Sequence, residues 1–323
     1  MSMRRILVGL LAAGLVAVLS ALATSAEPAP PAAPGTLVII DAAGKEQKLK
    51  TWKFVAGTRA LSWLAPAAPP KEGGDQPREG DKAPPPAGPE ALAFRDENST
   101  TFVDGVLTLI PLERVRTIDY EEETVWVHVA TGDKPDDQVL LKGETKFKGI
   151  NKLTIEAEVD KGDLGVAEVK FLGGVPKGIR GVRFPAARAG AAAPKGRPAT
   201  VTVADGDKRT TQEVADLQPL YRLADGGERL SAVLLFKKTL RLDVGKIRKL
   251  RAAEGKEAEG TEWGVTLKDA EEETYTLLHK AVLDGKPATL EGFVGRVAAG
   301  FKLLPPHTVA EIEFDAGGTE PKP

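Results

Sequence analysis

A chain of 323 residues with 44 basic side chains, 46 acidic ones and no cysteine excludes several classes at once. The near-neutral balance gives no long-range attraction to nucleic acid or to an anionic membrane. Without cysteine there are no disulfide staples, thiolate metal sites or thiol nucleophiles, so cohesion has to come from burial.

Residues 1–26 read as a signal peptide. Arg4 and Arg5 precede an apolar run over 6–22, and Thr24, Ser25 and Ala26 supply the small residues of a cleavage site. Export to the periplasm or the outside follows, with no membrane span left after cleavage; the alternative is that the segment stays uncleaved as an N-terminal anchor. Residues 27–35 form a Pro/Ala leader. From residue 36 the hydrophobic period is mainly two, the mark of half-buried strands. The run 36–40 leads into a turn at Asp41 and Gly44, and the run 200–203 into one at Asp205 and Gly206. Residues 65–91 mix proline, glycine and charges with nothing apolar larger than alanine, which predicts a disordered insertion.

One pattern recurs about every 65 residues. Val115, Ile118 and Tyr120 are matched by Ile179, Val182 and Phe184, by Ile247, Leu250 and Ala252, and by Val309, Ile312 and Phe314. Pro111, Pro176 and Pro305 stand shortly before three of these sets, and Asp243 and Val244 take that place in the third. The expected geometry is a one-turn helix entering a closing strand. The first side chain caps from the turn, and the other two, spaced by two, share the inward face. The runs 125–129 and 263–267 also correspond, so the first unit pairs with the third and the second with the fourth. Trp126 and Trp263, at matching strand starts, read as repeated core or interface residues.

With linker composition over 186–198 and a polar tail over 316–323, the predicted architecture is all-β. Two tandem domains, 36–185 and 199–315, each hold two related small barrel-like units of short antiparallel strands, SH3-like or Sm-like, or two halves of one shared sandwich. This scheme of strand, Asp-Gly turn, strands, proline and spaced anchors resembles the small-barrel repeats of secreted proteins from planctomycete-type bacteria. There such units often precede carbohydrate-binding or other extracellular modules. The resemblance implies a fold and a compartment and assigns no functional residue.

Motifs for chemistry are sparse. His128, His279 and His307 have no metal-ligand spacing, so no metal or cofactor is expected. The acidic runs 121–123 and 271–273 read as solvated turns, and there is no nucleophile elbow or phosphate loop. The candidates for binding are a basic stripe of Arg116, Arg180, Arg183, Arg248 and Arg251, and an aromatic platform of Trp52 and Trp63. The predicted function is a non-catalytic exported protein that binds or scaffolds an envelope protein or polysaccharide. The alternatives are a carboxylate-dependent hydrolase of envelope polymers and an anionic-polymer binder.

Overall fold

The computed structural model describes residues 35–65, 88–97, 105–132, 134, 136–147, 151–185, 196–257 and 260–315. The residues expected to form the signal peptide and the tail, and most of those expected to form the leader, the insertion and the linker, lie outside the described residues.

In the first half the strands are β1 (Leu37–Ile40), β2 (Glu46–Leu49), β3 (Trp52–Ala56), β4 (Thr58–Ala60), β5 (Glu90–Phe94), β6 (Leu107–Pro111), β7 (Val115–Glu121), β8 (Thr124–Ala130), β9 (Gln138–Glu144), β10 (Thr154–Asp160), β11 (Val166–Leu172) and β12 (Gly181–Arg183). The second half holds β13 (Pro198–Asp205), β14 (Lys208–Leu223), β15 (Glu228–Leu230), β16 (Val233–Leu235), β17 (Arg241–Asp243), β18 (Ile247–Glu257), β19 (Gly260–Leu267), β20 (Glu272–Leu278), β21 (Lys280–Leu283), β22 (Lys286–Val297), β23 (Gly300–Leu304) and β24 (Val309–Phe314). The fold is all-β, and no helix exceeds one turn among the described residues. Glu90 and Ala91, expected in the insertion, already belong to β5.

Among the described residues no sheet closes into a barrel, which corrects the expected closure of each unit. The reason lies in the pairing. The closing strands β7 and β12 pair with each other, and β1 of the first unit pairs with β12 of the second. Each unit therefore completes the other's sheet, in the order β2-β1-β12-β7-β8-β9. The second half repeats this order as β14-β13-β24-β18-β19-β20. Register agrees as well. Ile39, Val182, Ile118 and Val127 lie side by side across one sheet, as do Val201, Ile312, Leu250 and Val265 across the other, and all are buried.

The anchor spacing conflicts with a plain strand, because residues three apart point to opposite faces. Bulges resolve the conflict. Val115 and Thr117 face consecutive partners in β8, leaving Arg116 as the extra residue; Arg248 and Ala310 are extra in β18 and β24 in the same way. One added residue turns a spacing of three into two positions on one face. Hence Val115, Ile118, Tyr120, Ile247, Leu250, Val309, Ile312 and Phe314 are all buried. Ile179 and Val182 are buried too, and Phe184 is half-buried. One-turn 3-10 helices precede β7, β18 and β24 as expected, whereas a turn over 175–177 serves the second unit. Val115, Ile247 and Val309 start their strands and do not cap from the helix, and Ile179 forms an isolated bridge to Gly173 ahead of β12.

Alanine at 252 is compensated across the ladder. Tyr120 opposes Val125 in the first half, and Ala252 opposes Trp263 in the second, so a large–small pair has changed sides. Trp263 is fully buried, whereas Trp126, one position later in its strand, faces outward. Trp126 is thus not a core residue; a shift of one residue along a strand reverses the face.

The halves meet through β6 and β23, which join them in one sheet in the order β22-β23-β6-β5-β4. A small cluster of Leu61, Ala91, Ala93, Leu109, Leu220, Val294 and Leu303 drawn from both halves packs there. Lys302 Nζ lies 2.6 Å from Asp96 and 2.9 Å from Thr108 Oγ1, and the two charged side chains are each 6% exposed. Burial lowers the Lys302 pKa, opposed by the Asp96 charge and hydrogen bond. Asp96→Ala removes the countercharge of a buried ammonium and is expected to cost about 3 kcal/mol, measured by urea unfolding. Asp96→Leu with Lys302→Met should recover most of that loss.

Candidate functional site

The outward face of the six strands β14-β13-β24-β18-β19-β20, one end of a 13-stranded sheet, carries the site. Registered pairs place Thr211 (β14), Thr202 (β13), Glu311 (β24), Arg251 (β18), Gly264 (β19) and Thr274 (β20) in one row, one residue per strand. At ~4.8 Å per strand the row runs roughly 24 Å across the sheet. From Thr202 to Thr274 it lies in a groove of about 440 Å³ that also takes in Glu272 and, from β14, Arg209. Lys249 is 3.0 Å from Glu311, so that carboxylate is held at the groove wall. The side chain of Glu272 lies over Gly264, where any Cβ would meet its carboxylate. Two arginines, two carboxylates and two threonines within the groove give hydrogen-bonding groups of both signs and no net charge.

The first half explains why the groove is open. Its equivalent row runs through Asp119, Trp126 and Lys142. There Trp126 fills the surface, with Lys142 5.6 Å from the ring centroid and the indole donating to Glu121 at 3.3 Å. Gly264 stands where Trp126 stands, so the second sheet keeps the space that an indole occupies in the first.

The predicted arginine stripe is not assembled. Arg116, Arg180 and Arg183 belong to the first sheet, and Arg248 and Arg251 to the second. Arg116 donates to the Lys134 carbonyl at 2.8 Å, and Arg183 pairs with Glu46 at 2.6 Å. Arg180 and Arg248 are exposed, and only Arg251 lines the groove.

Nor do the tryptophans form a platform. Trp52 packs edge-on against Phe54 at the rim of the first core and donates to the Gly35 carbonyl at 3.0 Å. Trp63 packs against Phe301 at the junction between the halves, with Arg59 5.6 Å from its ring. Sequence reasoning passed over Lys302, Asp96 and Gly264. The lysine in the apolar run 300–304 was a usable signal, whereas a lone glycine in a strand was not.

Comparison with protein-family models, with curated proteins and with solved structures gives no match.

A second polar cluster lies on the small sheet β11-β10-β3. Glu156 sits between Lys53 at 2.8 Å and Lys170 at 2.5 Å, and the hydrogen bonds from Lys170 and Lys53 pull its pKa down to about 2 from the ordinary 4.5. A folded value below the unfolded one means that this pairing stabilises the fold above the ordinary carboxylate range. The contribution fades as the pH falls from 4.5 through about 2. A carboxyl titration by NMR is expected to find the Glu156 midpoint well below the ordinary glutamate value of 4.5. Lys53→Met with Lys170→Met should return it toward the ordinary range.

Proposed function

We propose that the chain is an exported, non-catalytic binding protein of the cell envelope, built by duplication of a β unit, and that it holds a polar polysaccharide in the groove across β14, β13, β24, β18, β19 and β20. The observation that carries this reading is the registered row itself. Six strands each contribute at least one lining residue to an open channel long enough for several sugar residues. Threonine hydroxyls, arginine and carboxylate side by side suit a ligand rich in hydroxyls, with alternating donors and acceptors and no net charge. The groove offers no aromatic face, so affinity comes from hydrogen bonds distributed along the chain rather than from ring stacking. Summed weak contacts of this kind give modest affinity per site, which suits a protein retained by a polymer with many equivalent positions.

Arg251→Ala removes the central donor and Gly264→Trp rebuilds the filled surface of the first half. Retention on purified envelope polysaccharide is expected to fall about tenfold with the first, in keeping with the loss of a charge-assisted hydrogen bond. The second should abolish it while leaving the unfolding midpoint close to that of the unaltered protein. Unchanged retention by both variants would remove the groove from consideration. Retention that collapses steeply with salt would instead favour an anionic polymer.

A further inference from the structure

The junction between the halves has a second, unused copy of each of its parts. Within the chain the hairpin β5–β6 presents the edge of β6 to β23, with Leu107, Thr108 and Leu109 opposite Leu303, Lys302 and Phe301. The hairpin equivalent to β5–β6 is β16–β17. Each is followed by a one-turn 3-10 helix and a closing strand, and each reaches the end strand of its large sheet, β9 or β20, through Asp96 and Gly143 or Phe236 and Leu277. The strand equivalent to β23 is β11, because β11-β10-β3 and β23-β22-β14 have the same order. Among the described residues β16–β17 forms a two-stranded sheet alone, and β11 is the outer strand of its sheet. The β11 face to solvent carries Val166 at 66% and Leu172 at 58% exposure. An extended strand with an open backbone edge and bare apolar residues normally has a covering partner.

We propose that the edge of β17 in one molecule pairs with the edge of β11 in a second copy, repeating between molecules the β6–β23 contact that each molecule makes internally. The backbone is oriented for it. Gly173 donates to Leu153 in the β10 direction, and Ile179 donates to Leu172 on the opposite side. By alternation the amide and carbonyl groups of Glu168 and Lys170 point away from β10. In the hairpin Phe236 donates to the Leu240 carbonyl, so the backbone groups of Arg241 point away from β16. Each molecule has one edge of each kind, so the contact is head-to-tail and propagates until it closes into a ring or grows as a filament. This inference is independent of what the groove holds.

The test uses proline, which removes an outward N–H without breaking the ladder on the inner side. Sedimentation velocity of the purified protein is expected to show mass rising with concentration, and Glu168→Pro and Arg241→Pro should each be monomeric with unchanged circular dichroism. Glu168→Pro keeps β17, and Arg241→Pro keeps β11. Mixed in equal amounts, the two variants should therefore form a heterodimer that grows no further. A wild-type protein that stays monomeric throughout overturns the proposal. So does assembly that survives either substitution, or a mixture that gives no dimer.

Discussion

Register in this protein depends on one extra residue in the closing strands. A strand alternates faces, so a slip of one position would turn Ile118 and Tyr120 outward and expose Asp119 and Thr117 to the core. The bulge at Arg116 lets Val115, the first residue after the one-turn helix, and Ile118 both point inward. Arg248 and Ala310 do the same for β18 and β24. Because the bulge residue has no place in the ladder, its side chain is free of the core, which is why arginine is tolerated at two of these positions. The row of β-branched and leucine side chains that spans each large sheet follows from this alignment. Each fully buried aliphatic side chain in it contributes roughly 1.5–3 kcal/mol.

From that alignment the asymmetry between the halves also follows. Tyr120 and Trp263 are both fully buried, the first on the closing strand β7 and the second on β19, the neighbour of the closing strand β18, and each opposes a smaller residue. Moving the large ring from the closing strand to its neighbour keeps core volume roughly constant, the kind of exchange cores accept most readily. The Tyr120 hydroxyl receives a hydrogen bond from the Leu153 amide at 3.2 Å, and burial raises its pKa. With a tryptophan buried at 263, the outward neighbour at 264 is a glycine. The outer surface that Trp126 covers in the first half is thereby left as a groove.

The anchors and the one-turn helices were legible in the sequence because they repeat and because hydrophobic spacing reports burial directly. The bulges were legible only as an anomaly, a spacing of three inside a strand with period two. Pairing between units was not legible. Nothing local in residues 37–40 records that their neighbour is Val182 and not Ile118, since any inward β-branched residue satisfies the same ladder. The arginines misled for a related reason. Equivalent positions in a repeat share a local environment but not a common surface, and two sheets divide what one numbering aligned. Trp126 and Trp263 differ by a single position, a distinction carried by strand parity and invisible to composition.

The junction raises a question of choice, because two hairpins of similar shape compete for one strand edge. Asp96 lies two residues beyond Phe94 in the first hairpin; the second hairpin has Lys238 two residues beyond Phe236. Lys302 on β23 is buried at the contact and requires a carboxylate there. Seating β16–β17 on β23 would set Lys238 beside Lys302 in a region withdrawn from water, where like charges repel strongly and neither keeps its hydration. The buried ion pair need not add net stability to have this effect. Its consequence is discrimination between two otherwise interchangeable partners, with repulsion excluding the wrong one as effectively as attraction holds the right one. A contact selected in this way is closed to the second hairpin, and β11, whose one lysine, Lys170, is exposed and paired with Glu156 rather than buried like Lys302, is the edge that carries no such exclusion.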